Sequence, residues 1–273
     1  MNFKKYQGAG NDFIMLDQRQ HHWITRADTA MVAHLCDRRF GIGADGLILL
    51  QNLEGYDFEM IYFNSDGHES TMCGNGGRCI VAFAYDQGIS KEKYHFMAID
   101  GEHEAIIKPE TGQRSYWVEL KMKDIQDIED NQDHYVLDTG SPHVVQFVNK
   151  LDSRDIVAEG RQVRYSERFK QEGINVNMVE ENGIGLNIRT YERGVEDETL
   201  ACGTGVTAAA IACHLHKNGE KGINEIPVKA RGGNLSVRFQ ANGHGKYSDI
   251  WLCGPATFVF EGELNLLPNG NAA

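Results

Sequence analysis

The 273-residue sequence has few cysteines for its length. The six are Cys36, Cys73, Cys79, Cys202, Cys213 and Cys253. None of them belongs to a C-x-x-C pair, and a chain of this length does not depend on cross-links to build a core. The sequence therefore predicts neither a disulfide scaffold nor a structural zinc site.

Long apolar runs are also missing. Residues 1–6 lack the apolar core of a secretory signal, and no stretch approaches the roughly 18 apolar residues of a membrane span. We therefore expect a cytoplasmic protein that has no membrane partner.

Positive charge is scarce as well. The 27 lysines and arginines are outnumbered by 39 aspartates and glutamates, which gives a net charge of −12. This balance argues against nucleic acid as a general partner, although it leaves room for a local basic pocket that binds an acidic small molecule. The apolar share of 41% is typical of a globular protein, and the length predicts two domains.

What the sequence does contain is a repeated thiol motif. Residues 72–79 read M-C-G-N-G-G-R-C, and residues 200–207 read L-A-C-G-T-G-V-T. Each motif follows a strand-like run and a polar turn, and each precedes small apolar residues that suit a helix interior. A repeat of about half the chain predicts two similar domains. We place residues 1–121 and 255–273 in the first and residues 122–254 in the second.

Strand-like runs dominate both halves, with one long helix in each. This pattern predicts an α+β, or mixed α/β, fold rather than a doubly wound sheet. The Gly-rich residues 40–46 lack the G-K-[ST] of a phosphate loop and precede a strand, so they predict a turn rather than a nucleotide site. The acidic residues 124–133 predict a solvated connector. Residues 155–161 and 165–169 predict a helix with a charged face, and residues 258–260 predict a strand near the C-terminus.

The thiols Cys73 and Cys202 both stand where a helix is predicted to begin. A helix N-terminus lowers the pKa of a thiol and offers backbone N–H groups to a carboxylate. Two such thiols suit thiol–disulfide exchange, or a two-base proton transfer that inverts a carbon centre. For the second reaction, the donors to an α-carboxylate are the N–H groups at Gly74, Asn75, Gly203 and Thr204. No obvious cofactor site accompanies these motifs.

Polar residues near the motifs favour proton transfer. Glu192 can take an ammonium group or orient a thiol, and Arg193 can grip a second carboxylate. Amide groups and one imidazole add hydrogen-bonding capacity at Asn11, Asn64, Asn175 and His143. Each also has a structural interpretation, since an Asn often forms a turn, Glu-Arg is often surface charge and a lone His often packs in a core.

Six motifs together resemble the diaminopimelate epimerase family. They occur in the family's order over nearly the whole chain, at residues 8–13 (GAGNDF), 39–46 (RFGIGADG), 63–67 (FNSDG), 72–76 (MCGNG), 191–194 (YERG) and 201–205 (ACGTG). The resemblance implies a cofactor-independent isomerase that interconverts LL- and meso-diaminopimelate for lysine and peptidoglycan precursor biosynthesis. It also implies two pseudo-symmetric domains of strands wrapped around a central helix, a C-terminal strand that returns to the first domain, and a homodimer.

The same resemblance implies roles for individual residues. Cys73 and Cys202 would be the acid/base pair, with His143 and Glu192 tuning the thiols. The substrate-binding residues would be Asn11, Asn64, Gly74, Asn75, Ser141, Asn175, Glu192, Arg193, Gly203 and Thr204. The chain departs from the family at two positions: Ser141 stands where Asn is common, and Gly46 stands where some members have Gln.

Three alternatives remain: a related racemase, a dithiol redox protein and a binding protein with a degenerate site. A related racemase acting on proline or hydroxyproline would use the same thiols, but it has less use for Arg193 beside Asn64 and Asn175. A dithiol redox protein usually keeps its two cysteines close in sequence. A binding protein with a degenerate site would not need both thiols and both Gly-rich loops intact.

Overall fold

The computed structural model describes residues 1–109 and 114–264, which divide into two compact units. The first unit is Met1–Leu120 with the segment that begins at Pro255, and the second is Lys121–Gly254. Residues 265–273, which we placed in the first domain, lie outside the described residues. Within the described ranges, no helix is long and apolar enough to cross a membrane.

The first unit is made mainly of strands that follow one another along the chain. They are β1 (Asn2–Gly8), β2 (Asn11–Asp17), β3 (Gly46–Gln51), β4 (Glu59–Asn64), β5 (Lys93–Ala98), β6 (Gly101–Pro109) and β7 (Ser115–Lys121). Helix α1 (Thr29–Cys36) connects β2 to β3, and helix α2 (Gly74–Asp86) connects β4 to β5.

The second unit has the same kinds of element. Its strands are β8 (Ile128–Asp130), β9 (Tyr135–Asp138), β10 (Pro142–Phe147), β11 (Asn175–Glu181), β12 (Leu186–Glu192), β13 (Asp197–Thr199), β14 (Gly222–Ala230) and β15 (Gly233–Gly243). Helix α3 (Ile156–Arg164) connects β10 to β11, and helix α4 (Gly203–His216) lies between β13 and β14. The long strand β16 (Lys246–Glu263) pairs with β15 through its first half and with β1 through its second half.

The two units repeat the same order of strand pairings. In the described part of the first unit, β16, β1, β2, β3, β4, β5, β6 and β7 pair in that order. In the second, β8, β9, β10, β11, β12, β14, β15 and β16 do the same. The third and fifth strands of each series pair in parallel with the strand that follows, and the other pairings are antiparallel. The internal repeat predicted from the thiol motifs therefore extends to the whole fold of each unit.

Helices α2 and α4 are the buried helices of their units. Every residue of α2 from Gly74 to Ala84 is buried, and α4 is buried from Gly203 to His214 except at Thr204. Most of their residues are small or apolar, which suits a helix surrounded by strands. Strand β3 is apolar on both faces, and its residues from Gly46 to Leu50 are buried. On one face, Leu47 and Leu49 pack in the cluster that contains α1 residues.

Three predictions about secondary structure were wrong in detail. The acidic residues 124–133 contain β8, because Ile128, Glu129 and Asp130 pair with β9. The strand predicted at residues 258–260 is the end of β16, whose ladder with β1 continues to Glu263. The helix predicted for residues 155–161 and 165–169 ends at Arg164, and turns follow it.

Candidate active site

Both motif thiols occupy the N-cap position of a buried helix. Cys73 precedes α2 and Cys202 precedes α4, and both have extended backbone conformations. The Cys73 carbonyl accepts from Gly77 N at 2.7 Å, and the Cys202 carbonyl accepts from Val206 N at 2.8 Å. Each sulfur is thus carried next to the N–H groups of a first helical turn, which favour a thiolate or a bound anion.

Other cysteines have the environment of packing residues. Burial raises the pKa of Cys36 and of Cys79 to about 12, and burial also raises the pKa of Cys213. Cys253 is buried as well. Cys36, Cys79 and Cys213 therefore stay protonated near neutral pH, and all four buried cysteines behave as small apolar side chains.

In the first unit, the fold brings Asn75 together with Asn11. Asn75 is fully buried in the first turn of α2, and its Nδ2 donates to Asn11 Oδ1 at 2.5 Å. Asn11 begins β2, and its own Nδ2 donates to Asp45 Oδ2 at 2.9 Å. Asn64 ends β4, where its register partner on β3 is Gly46. The predicted residues of this unit thus lie at strand ends and at the start of α2.

Arg78 supports this group, and sequence reasoning missed it. The side chain is fully buried on α2, where its Nη2 donates to Asn75 Oδ1 at 2.8 Å and its Nη1 to Gly74 O at 3.3 Å. Its Nε donates to Pro255 O at 3.4 Å. The available signal was an arginine in a helix whose other residues are almost all small or apolar. Arg78 ties the first turn of α2 to neighbouring backbone.

A cluster of charged side chains holds Asp45 in place. Arg38 donates to Asp12 Oδ1 and to Asp45 Oδ1, both at 2.7 Å, and the buried Lys5 forms an ion pair with Asp12 at 2.8 Å. Burial alone would raise the pKa of Asp12, but the hydrogen bonds from Arg38 and Lys5 outweigh it and hold that pKa at about 2. Asp12 is therefore ionised at neutral pH and anchors the cluster behind Asn11.

In the second unit, Ser141, His143 and Thr204 form a hydrogen-bonded group beside Cys202. His143 Nε2 lies 2.9 Å from Thr204 Oγ1 and 3.0 Å from Ser141 Oγ. The two hydroxyl oxygens are 3.1 Å apart, and Thr204 Oγ1 is 3.4 Å from Cys202 Sγ. The Thr204 hydroxyl therefore links the imidazole to the thiol.

His143 is neutral at ordinary pH. It is completely buried, and burial lowers its pKa to about 3, with Asp138 and Arg193 acting on it in opposite directions. Its interaction with Cys202 is consequently a hydrogen-bonding interaction through Thr204 rather than an ion pair. Asn177 completes its surroundings, since Asn177 Nδ2 is 3.0 Å from His143 Nδ1. The alternation that places Asn177 on the same strand face as Asn175 was the sequence signal for this contact.

Asn175 connects Arg193 to Ser141. Its Oδ1 accepts from the Arg193 backbone N at 2.9 Å, while its Nδ2 donates to Ser141 Oγ at 3.2 Å. The Arg193 guanidinium donates to the Glu172 carbonyl through Nη1 at 3.0 Å. Arg193 is thereby held at both its backbone and its side chain.

Glu192 is a partly buried carboxyl group at the end of β12. Burial raises its pKa, although a hydrogen bond from Thr199 Oγ1 to Oε2 at 2.8 Å opposes that rise. A carboxylate in such a place gains stability when a cation comes next to it. Its position corresponds to that of Asn64 in the first unit, because β11–β12 and β3–β4 share one register.

One cavity of the first unit contains none of the predicted site residues. It has a volume of about 560 Å³, and its lining includes Phe83 and Gln87 at the C-terminal end of α2, whereas Cys73 precedes the N-terminal end. A search of the described residues finds no group of three or more His, Cys, Asp or Glu side chains suited to a metal ion.

Comparisons with known proteins agree on one family. The sequence model described as Diaminopimelate epimerase matches residues 3–124 and 135–259. A diaminopimelate epimerase of Flavobacterium psychrophilum is 49% identical over 96% of this chain and 99% of its own length. One from Chlorobaculum tepidum is 43% identical over 95% of this chain and 99% of its own.

Solved structures with the same fold are distant in sequence. A phenazine biosynthesis protein of the PhzF family from Bacillus anthracis has a TM-score of 0.74 at 16% identity, covering 97% of this chain and 99% of its own. A hydroxyproline epimerase from Agrobacterium vitis, solved with trans-4-hydroxy-L-proline, has a TM-score of 0.69 at 13% identity, covering 96% and 91%. At these identities the likeness establishes the mixed α/β fold alone.

Proposed function

Because the chain belongs to the diaminopimelate epimerase family, we propose that it interconverts LL- and meso-diaminopimelate. The observation that carries this proposal is the placement of Cys73 and Cys202 at the N-caps of the two buried helices, in units that repeat one fold. The reaction would be a cofactor-independent isomerisation in lysine and peptidoglycan precursor biosynthesis.

The two thiols would divide the proton transfer between them. In one direction, the thiolate of one cysteine removes the proton from Cα, and the thiol of the other returns a proton to the opposite face of that carbon. The negative charge that develops on the substrate needs donors already in position. The N–H groups at Gly74 and Asn75 and at Gly203 and Thr204 begin α2 and α4, so they suit the α-carboxylate.

The remaining site residues would bind the rest of the substrate. Glu192 would bind the α-ammonium group, whose positive charge would stabilise the ionised carboxylate against its burial. At the distal amino-acid end, the binding residues would be Asn11, Asn64, Asn175 and Arg193. Ser141 is held by Asn175 and His143, so we assign it to orienting these groups rather than to reaching the substrate as a longer Asn would.

We also propose that the enzyme acts in the cytoplasm as a homodimer. The supporting argument is membership of a family whose members are typically dimeric. Sedimentation velocity on the purified protein tests the assembly, with a mass near twice 30.6 kDa expected and a single 30.6 kDa species contradicting it.

Proton NMR in heavy water tests the reaction itself. The reduced protein is mixed with LL-diaminopimelate, and deuterium is expected to enter at Cα as the meso isomer forms. Cys73→Ala and Cys202→Ala should each abolish both signals while the proteins stay folded. Activity on proline or hydroxyproline, without any on diaminopimelate, would reject the substrate and support the racemase alternative.

A further inference from the structure

A buried chain of polar side chains leads to His143 from the sheet of the second unit. Thr190 Oγ1 donates to Asn177 Oδ1 at 2.9 Å. Asn177 Nδ2 donates to the Val144 carbonyl at 3.0 Å and also lies 3.0 Å from His143 Nδ1. Asn177 and His143 are fully buried, and Thr190 is nearly so.

The Val144 carbonyl sets the direction of these hydrogen bonds. A carbonyl oxygen only accepts, so the Asn177 amide must turn its NH₂ group toward it. The second hydrogen of that NH₂ group then points at His143 Nδ1, which must accept. A neutral imidazole whose Nδ1 accepts carries its proton on Nε2.

The protonated Nε2 in turn decides where the Thr204 hydroxyl hydrogen goes. Since Nε2 donates, it cannot accept from Thr204 Oγ1, although the two atoms are 2.9 Å apart. Ser141 Oγ has two acceptor sites, which Asn175 Nδ2 at 3.2 Å and the protonated His143 Nε2 at 3.0 Å fill. Ser141 then donates its own hydrogen to Thr204 Oγ1, 3.1 Å away. The Thr204 hydrogen is thus directed to Cys202 Sγ, 3.4 Å away, where it stabilises a thiolate.

We propose that Asn177 is a positioning residue for the Cys202 thiol. It holds His143 in the Nε2–H tautomer, and this tautomer makes the Thr204 hydroxyl a donor to the sulfur. The inference rests on the proposed function, in which Cys202 is one of the two reacting thiols.

The first unit shows that the fold does not need these polar groups. The parallel pairs His143–Asn175 and Phe13–Gly46 occupy the same place in the two units. By the same register, the positions of His143, Asn177 and Thr190 correspond to those of Phe13, Ile48 and Tyr62. Two apolar side chains and a Tyr that packs edge-on against one of them therefore replace the polar chain. Burying an amide and an imidazole is costly unless every partner is present, which argues for a role beyond packing.

The charged and titratable groups around His143 leave its ring uncharged. Asp138 raises its pKa and Arg193 lowers it, while burial has the largest effect and keeps the ring neutral. Glu192, at the end of β12, is a partly buried carboxyl group whose pKa is raised by that burial. In the part of the chain that the structure describes, neither Asp138, Arg193 nor Glu192 forms a hydrogen bond to His143 Nδ1, whereas Asn177 does.

Nitrogen-15 NMR tests the tautomer directly in the unmodified protein. With ¹⁵N-labelled histidine, long-range ¹H–¹⁵N spectra distinguish a protonated Nε2 from a protonated Nδ1, and the His143→Gln variant assigns the signal. We expect the Nε2–H form across neutral pH. An Nδ1–H form or an imidazolium would overturn the proposal.

Alkylation of Cys202 tests the consequence for the thiol. In a Cys73→Ala background, the rate of carboxamidomethylation at Cys202 is followed against pH by peptide mass spectrometry. Asn177→Ile, which copies the residue of the first unit, should raise the midpoint by about one pH unit, because a hydrogen bond to the thiolate is lost. The matched core variant Ile48→Val should leave the midpoint unchanged.

An unchanged midpoint in a folded Asn177→Ile variant would overturn the proposal. If that variant does not fold, the tautomer of the unmodified protein decides the matter alone. Neither measurement needs a substrate. Failure to exchange deuterium into diaminopimelate would therefore reject the proposed function and leave the role of Asn177 to be decided by these two measurements.

Discussion

Cys73 and Cys202 share one structural position, yet different side chains support the helix turns that follow them. After Cys73, the buried Asn75 is held by Arg78 and Asn11. After Cys202, Thr204 is held by His143 and Ser141 instead. The fold thus repeats while its polar support differs, which lets variants at matched positions separate packing from chemistry.

Gly205 and Gly76 offer such a pair in the first turns of the two buried helices. An added Cβ at Gly205 would lie 2.4 Å from Asn177 Oδ1, which hydrogen bonds hold in place. An added Cβ at Gly76 would lie 3.1 Å from Ile48 Cδ1, the end of a flexible side chain. We expect Gly205→Ala to lower the free energy of unfolding by about 2 kcal/mol through overpacking.

Gly76→Ala serves as the matched control. Replacing a helical Gly by Ala gains up to about 1 kcal/mol in propensity, which offsets the small shift of Ile48. The free energy of unfolding should therefore change by less than about 1 kcal/mol, as measured by urea denaturation. Equal losses in the two variants would contradict the rigid placement of Asn177.

Arg193 should matter most for the distal end of the substrate. Its backbone is fixed by Asn175 and its side chain by the Glu172 carbonyl, so the guanidinium is already positioned. We expect Arg193→Ala to reduce kcat/KM for diaminopimelate by about 100-fold, since one charge-assisted pair is worth roughly 1.5–3 kcal/mol. Initial rates of Cα–deuterium exchange measure this.

The control is exchange into a small amino acid that lacks the distal carboxylate. Any residual exchange of that substrate should be reduced much less by Arg193→Ala. Equal reductions for the two substrates would show that Arg193 acts on the thiols or on the fold rather than on the distal end.

Arg78 should contribute strongly to stability. Arg78→Met keeps a long side chain but removes the donors to Asn75 Oδ1 and Gly74 O, which then lie buried with fewer partners. Each lost donor costs about 1–3 kcal/mol, so we expect the free energy of unfolding to fall by about 3 kcal/mol. Arg39→Met, at an exposed arginine, should change it by less than about 0.5 kcal/mol in the same denaturation experiment.

The sequence predicted the elements that local patterns encode. The thiols at the starts of α2 and α4 were predicted because Gly-rich turns before small apolar runs are local signals, and the structure places both at N-caps. In the sequence, the repeat was visible only around the two thiol motifs. The strand pairings that extend it to the whole fold, such as that of β16 with β1, join residues far apart in the chain, so local patterns do not reveal them. Arg78 and Asn177 were not predicted as supports, because their partners are set by tertiary packing and by strand register. The roles assigned to the site residues stay predictions.

His143 should make the protein sensitive to acid. Its pKa is about 3 in the folded protein and about 6.5 in an unfolded chain, so below pH 6.5 the unfolded state binds a proton that the folded state does not. Its contribution to stability is therefore complete above pH 6.5 and is lost as the pH falls toward 3. The expected slope is about 1.4 kcal/mol per pH unit, and it should be absent in His143→Gln.

Denaturation by urea between pH 7 and pH 4 measures this slope. Other groups also respond to acid, so the informative quantity is the difference between the parent protein and His143→Gln at each pH. The exposed His22→Gln variant should follow the parent, because that side chain lies outside the core. A His143→Gln variant that loses stability as steeply as the parent would mean that the imidazole takes up a proton in the folded state, which its complete burial opposes.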